Sequence, residues 1–99
     1  MNVQQMYATA ARIKTGYPDM SSYKTASGVL IDFKDETMRC IFLLEARYCT
    51  LIFSNNELTE ELFLQSAEIQ PVVDMLIRAC NAGKKLLDVH RILRCWYLS

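Results

Sequence analysis

The hydrophobic positions of residues 2–15 recur every three to four residues, which is the period of an α-helix with one apolar face. Asn2 stands at the start of this segment with a glutamine three residues later, the pattern of a capping box. Gly16 and Pro18 follow, and both residue types are common where a helix ends. We predict a helix over residues 2–15, followed by a loop that joins the sheet near Tyr23.

The next part of the chain changes to the period of two that is typical of β-strands. Three runs rich in β-branched and aromatic residues occupy residues 28–34, 37–45 and 48–54. The gaps between the runs are short enough to force antiparallel hairpins. These residues therefore predict an antiparallel meander.

A register that pairs Phe33 with Met38 and Leu44 with Cys49 separates the two faces of this meander. One face is then entirely apolar, as a face packed on helices must be. Its members are Val29, Ile31, Phe33, Met38, Cys40, Phe42, Leu44, Cys49, Leu51 and Phe53.

The opposite face is apolar in the middle and charged at its margin. In this register Asp32 lies across from Arg39 as a cross-strand ion pair. The face carries Leu30, Asp32, Arg39, Ile41, Leu43, Glu45, Tyr48 and Ile52. This face is either exposed to solvent or covered by the C-terminal helix.

The last third of the chain is predominantly helical by its pattern. Residues 55–70 are ambiguous: a helix is favoured, but residues 57–65 could equally form a fourth strand. Pro71 suits a first helical position and predicts a helix over residues 71–82. Residues 84–98 predict another helix with Leu93 and Trp96 inward, although their branched and aromatic residues also permit a strand.

Together these elements predict an α+β fold. We expect a three- to four-stranded antiparallel meander sheet with the N-terminal helix and two C-terminal helices packed on it. Its 99 residues, 52% hydrophobic and 22% charged, suit one domain over residues 1–99. A domain of this size leaves some apolar side chains at its surface, which favours a protein partner or a homodimer.

The charges are balanced overall but unevenly distributed. The formal net charge is zero, so no general attraction to nucleic acid or to an anionic membrane is expected. Residues 35–77 hold eight acids against two arginines, whereas residues 78–99 hold five basic residues against one acid. This segregation could orient a partner.

The sequence shows neither a secretory signal nor a stretch of about 20 apolar residues that could span a membrane. A cytoplasmic location without membrane association is therefore expected. In that compartment the four cysteines are expected to be reduced thiols packed as small hydrophobic residues.

No motif predicts catalysis, a metal site or a cofactor. Cys40, Cys49, Cys80 and Cys95 are separated by nine, thirty-one and fifteen positions, unlike the close ligand pairs of structural zinc sites. His90 is the sole histidine, and on a helix its side chain diverges from that of Cys95. Adjacent acid pairs do not face each other, and the isolated glycines form no phosphate-binding loop.

A basic segment near the C-terminus supports one alternative function. Positive charge and aromatic surface occur together there, as in small nucleic-acid-binding proteins. The residues concerned are Lys84, Lys85, His90, Arg91, Arg94, Trp96 and Tyr97.

The favoured interpretation is a non-enzymatic protein-binding regulatory module, an inhibitor or an adaptor. Its binding surface would be the half-apolar sheet face with Ile41 and Ile52 at the centre. A small chain of this kind would suit an accessory protein of a phage or mobile element.

Overall fold

A computed structural model describes residues 1–97 as an α+β fold in which three helices pack on an antiparallel sheet. The strands follow each other in chain order across the sheet, so the topology is a simple meander. The elements are α1 (Val3–Gly16), β1 (Ser21–Lys24), β2 (Gly28–Lys34), β3 (Arg39–Glu45), β4 (Tyr48–Ser54), β5 (Thr59–Gln65), α2 (Ser66–Asn81) and α3 (Leu86–Tyr97).

Helix α1 begins with the predicted capping box. The Asn2 side chain accepts a hydrogen bond from the Gln5 backbone N–H at 2.9 Å, and the Gln5 side chain accepts one from the Asn2 N–H at 2.8 Å. Two backbone groups that a helix start leaves without partners are thereby satisfied. The loop after α1 reaches the sheet at β1, which contains Tyr23 as predicted.

Two hairpins of the sheet close with the same kind of turn. In the β2–β3 turn, Asp35 Oδ1 accepts hydrogen bonds from the N–H groups of Thr37 and Met38. In the β4–β5 turn, Asn55 Oδ1 accepts the equivalent bonds from Glu57 and Leu58. An Asp or Asn that bonds to the backbone two and three residues later stabilises a turn without glycine.

The predicted apolar face forms the core. Its ten residues are at most 3% exposed, and the Leu44–Cys49 pairing is confirmed. The three helices add further buried side chains from the same side of the sheet. The most deeply buried apolar ones are Met6, Ala10, Ile13, Ile69, Val72, Val73, Leu76, Leu86, Val89 and Leu93.

The predicted pairing of Phe33 with Met38 is wrong by two residues. Phe33 pairs with Cys40, and Lys34 pairs with Arg39, because the Asp35 turn takes Met38 out of the strand. The strand β3 accordingly begins at Arg39 and not at residue 37. An even shift leaves every side chain on its predicted face.

The helix favoured for residues 57–65 is a strand. Leu62 and Leu64 alternate with exposed neighbours and pair with β4, so period two dominates there. Helix α2 begins at Ser66, five residues before the predicted start at Pro71. Burial of Ile69 and a hydrogen bond from Gln70 Nε2 to Thr9 Oγ1 stabilise that first turn despite the proline.

The C-terminal segment is helical as favoured, from Leu86 to Tyr97. Leu93 lies inward as predicted, but Trp96 is 55% exposed. Residue 98, the last of the predicted helix, lies outside the described part of the chain, as does residue 99.

Candidate functional site

The face of the sheet that points away from the helices is called the outer face here. Its side chains form rows across the strands, because directly paired residues point to the same side. One row runs through Tyr23, Leu30, Leu43, Thr50 and Phe63. The next runs through Ser21, Asp32, Ile41, Ile52 and Glu61. Arg39 lies at one end of this face, and Glu45 and Tyr48 lie at the other.

Aliphatic side chains fill the middle of the outer face and aromatic side chains surround them. Leu30, Ile41, Leu43 and Ile52 are half-buried by their neighbours within the sheet. Phe63 is 68% exposed on the edge strand β5. Tyr23, on the opposite edge strand, is 56% exposed, and Tyr48 is 45% exposed.

No helix within residues 1–97 covers the outer face. The contacts of α3 with the sheet involve the other side: its His90 ring lies 5.2 Å from the core Phe53 ring, centroid to centroid. Leu86, Val89 and Leu93 of α3 belong to the same buried cluster as that side of the sheet. The C-terminal helix therefore does not cover Ile41, and of the two alternatives that the sequence permits, the outer face is exposed within residues 1–97.

Asp32 and Arg39 form the ion pair that the sequence predicts, but diagonally and not directly across the strands. The Arg39 guanidinium donates from Nε to Asp32 Oδ1 at 3.0 Å and from Nη2 to Oδ2 at 2.5 Å. This hydrogen bonding lowers the pKa of Asp32 below its usual value. The pair is half open to solvent, so it orients charge at this end of the face and contributes little to stability.

Sequence reasoning identified the centre of the outer face and missed both of its edges. The sequence predicts Tyr23 only in a loop near the sheet and Phe63 in the favoured helix, whereas both lie on edge strands. The available indication of a strand is the short run of consecutive apolar residues Leu62, Phe63 and Leu64 between polar residues. Thr50, which lies between Leu43 and Phe63 on this face, was also missed.

The basic segment does not form one continuous positive surface. Lys85 pairs with Glu36 at 2.6 Å, Arg94 lies 3.6 Å from Glu60, and Arg91 lies 3.9 Å from Asp88. Each of these cations is thus partly neutralised by an acid close to it. Lys84 and the exposed Trp96 lie at opposite ends of the segment, twelve residues apart in the sequence.

His90, the sole histidine, is buried. It is 2% exposed, and its Nε2 lies 2.7 Å from Glu60 Oε1. Cys95 is exposed, so the two side chains do not share an environment. The arrangement links α3 to β5 and offers no activated thiol.

The cysteine and acidic side chains considered for catalysis or metal binding do not cluster among the described residues. Cys40 and Cys49 are buried in the core, where burial raises the pKa of both thiols, that of Cys49 to about 12. Within residues 1–97 no three histidine, cysteine or acidic side chains lie close enough to hold a metal ion. No described helix has the length and hydrophobicity to cross a membrane.

A cleft of about 720 Å³ lies between the end of α1, the turn after α2 and the start of the sheet. Lys34, Lys84, Asp19 and Asp32 line it with both signs of charge. The C-terminal ends of two helices border it and disfavour an anion there. The charges that line the cleft therefore favour neither an anionic nor a cationic ligand.

Comparisons of the chain with protein-family models, with curated proteins and with solved structures found no match.

Proposed function

We propose that this chain is a non-catalytic protein-binding module, acting as an inhibitor or adaptor through the outer face of its sheet. The observation that carries the proposal is that all three helices pack on one side, while Ile41 and Ile52 remain on the other. A sheet face that packs on nothing within residues 1–97 and has an apolar middle is suited to burial against another protein.

The distribution of residue types on the outer face supports this proposal further. Protein interfaces are enriched in aromatic residues, and truncation of such residues often weakens binding strongly. Tyr23, Tyr48 and Phe63 surround the aliphatic middle, and each is at least 45% exposed. Charged side chains are confined to the margin, where they can select and orient a partner without being buried.

Nucleic-acid binding through the C-terminal segment is less well supported. Lys85, Arg91 and Arg94 each have an acidic neighbour within 4 Å, which weakens their attraction for phosphate. Nuclease treatment in the experiment below separates the two functions.

Affinity capture from host lysate tests the proposal. The tagged chain is compared with an Ile41→Asp/Ile52→Asp variant, each with and without nuclease, and captured proteins are identified by mass spectrometry. We expect a stoichiometric protein that survives nuclease and is reduced about tenfold or more by the double substitution. Untagged chain is also added to the lysate. Its capture by the tagged chain detects binding between two copies of this protein.

The control places the same charges on the opposite side of the molecule. Val3 and Tyr7 are exposed on α1, and a Val3→Asp/Tyr7→Asp variant should capture the partner normally. Both double variants are first shown to unfold cooperatively. Equal capture by all three chains, or capture that nuclease abolishes, would contradict the proposed function.

A further inference from the structure

The outward residues of β3 have an order of charges that is complementary to itself. This strand lies in the centre of the sheet, and its outward positions are Arg39, Ile41, Leu43 and Glu45. The row therefore begins with a positive charge, continues with two aliphatic residues and ends with a negative charge. A second copy of the row, turned end for end, would match it at all four positions.

We infer that the outer face binds the outer face of a second copy of this chain, with the two β3 strands antiparallel. The inference rests on the proposed function, because it names the partner of the same surface. The twofold axis lies between the two faces and is perpendicular to the strands. In this arrangement Arg39 of one copy lies over Glu45 of the other, and Ile41 lies over Leu43. Each contact then occurs twice, as in any isologous dimer.

The charges at the two ends of the face are available for this arrangement. Glu45 has no salt-bridge partner among residues 1–97, and Lys34 beside Arg39 has none either. Asp32 offsets the charge of Arg39, and Glu61 lies three strands away from Lys34 on the edge strand β5, so Lys34 keeps a positive charge at this end of β2. Arg47 belongs to the turn beyond β3 and not to its outward row.

The area of the outer face is sufficient for a specific dimer. Four strands of seven residues and one of four, about 4.8 Å apart, give a face of roughly 520 Å². Two such faces bury about 1,040 Å², which reaches the roughly 1,000 Å² that a specific interface needs. Twisted sheets that pack face to face differ in strand direction by about 30°, which keeps each Arg39 near the opposite Glu45.

Charge reversals measured by sedimentation equilibrium test this arrangement. All chains carry Asp32→Asn, so that reversing residue 39 does not bring two carboxylates together. Glu45→Arg alone and Arg39→Glu alone place like charges opposite each other in the dimer. The combined Arg39→Glu/Glu45→Arg chain restores opposite charges with their positions exchanged. Glu57→Arg, in an exposed turn, makes the same charge change as Glu45→Arg away from the face.

We expect a dimer whose dissociation constant rises about tenfold or more in each single reversal, while the double reversal returns it to within about threefold of the Asp32→Asn chain. Glu57→Arg should leave it within about threefold. A folded chain that stays monomeric at every concentration would overturn the dimer, as would a double reversal no better than the single ones.

The dimer and the proposed function can fail separately. A monomeric chain that still captures a different protein through Ile41 and Ile52 excludes the dimer and retains the binding module. A dimer that Ile41→Asp/Ile52→Asp leaves intact overturns the inference, because the dimer then uses another surface.

Discussion

The carboxylate of Asp35, in the turn between β2 and β3, accepts a hydrogen bond from the backbone N–H of Leu86 at 2.7 Å. Leu86 is the first residue of α3, so Asp35 satisfies one of the N–H groups that the helix start leaves free. Thr37 Oγ1 accepts from the next N–H, that of Leu87, at 3.2 Å. A single turn of the sheet thus closes a hairpin and caps a helix 51 residues away.

Replacing Asp35 should therefore destabilise the fold more than replacing its counterpart in the β4–β5 turn. We expect Asp35→Ala to cost about 2–4 kcal/mol, since it removes the turn bonds and the helix cap together. Asn55→Ala, which removes the equivalent turn bonds and no helix cap, should cost about 1 kcal/mol. Urea unfolding measures both, and equal losses would mean that the contact with Leu86 contributes no stability.

The same carboxylate should make stability depend on pH. Burial pushes the pKa of Asp35 upward, but hydrogen bonds from Thr37, Leu86 and Met38 outweigh it and leave the pKa lowered. The unfolded-state value is about 3.9, so the stabilisation is complete above about pH 5 and is lost as pH falls through the lower folded-state pKa. The stability difference between wild type and Asp35→Asn should be constant above about pH 5 and shrink below about pH 4. A difference that does not change with pH would contradict this assignment.

Gly28 should tolerate no side chain. A Cβ atom at this position would lie 1.9 Å from the Leu44 carbonyl oxygen, so β2 and β3 would have to separate. We expect Gly28→Ala to cost at least about 2 kcal/mol in urea unfolding. Gly16→Ala is the control: its Cβ would meet the flexible end of Ile77 at 3.2 Å, and the cost should stay below about 1 kcal/mol.

The four thiols should react at very different rates with a thiol reagent in the folded protein. Cys95 is exposed and should react first. Cys80 is half-buried and its Sγ donates to the Gly16 carbonyl oxygen at 3.0 Å, so it should react more slowly. Cys40 and Cys49 are buried with raised pKa values and should react only after unfolding. In Cys95→Ala the fast phase should disappear, and its persistence would show that the thiols are placed differently.

Much of this fold follows from local patterns in the sequence. The period of residues 2–15 and the alternation from Gly28 to Ser54 each report burial directly, because one face of every element packs on the core. An all-apolar face was enough to identify the core of the sheet correctly. The Leu44–Cys49 register also followed from it.

The parts that were predicted wrongly depend on contacts between distant residues. Residues 59–65 form a strand because β4 supplies a partner, and the turn at Asn55 had the same chemistry as that at Asp35. Helix α2 continues through Ser66–Gln70 because Ile69 and Gln70 contact other elements. His90 is buried because Glu60 provides a polar partner from another element.

Only the centre of the outer face could be predicted from the sequence, because its edges also depend on contacts between distant residues. Ile41 and Ile52 alternate with core residues on adjacent strands, so their shared face follows from the sequence. Tyr23 and Phe63 join that face only once β1 and β5 pair with their neighbours. Whether α3 would cover it depended on the position of a whole helix, which no local pattern specifies.

The central claim, that another protein molecule occupies the outer face, is tested most directly by NMR of isoleucine methyl groups in the presence of a soluble paramagnetic probe. Ile41 and Ile52 on the outer face are compared with Ile92, which is half-buried on α3, and with the fully buried Ile31. As the protein concentration rises, we predict that the probe broadens Ile41 and Ile52 progressively less while Ile92 stays equally broadened. Unchanged broadening of Ile41 and Ile52 across the series, and also after addition of any protein captured from lysate, would contradict the claim.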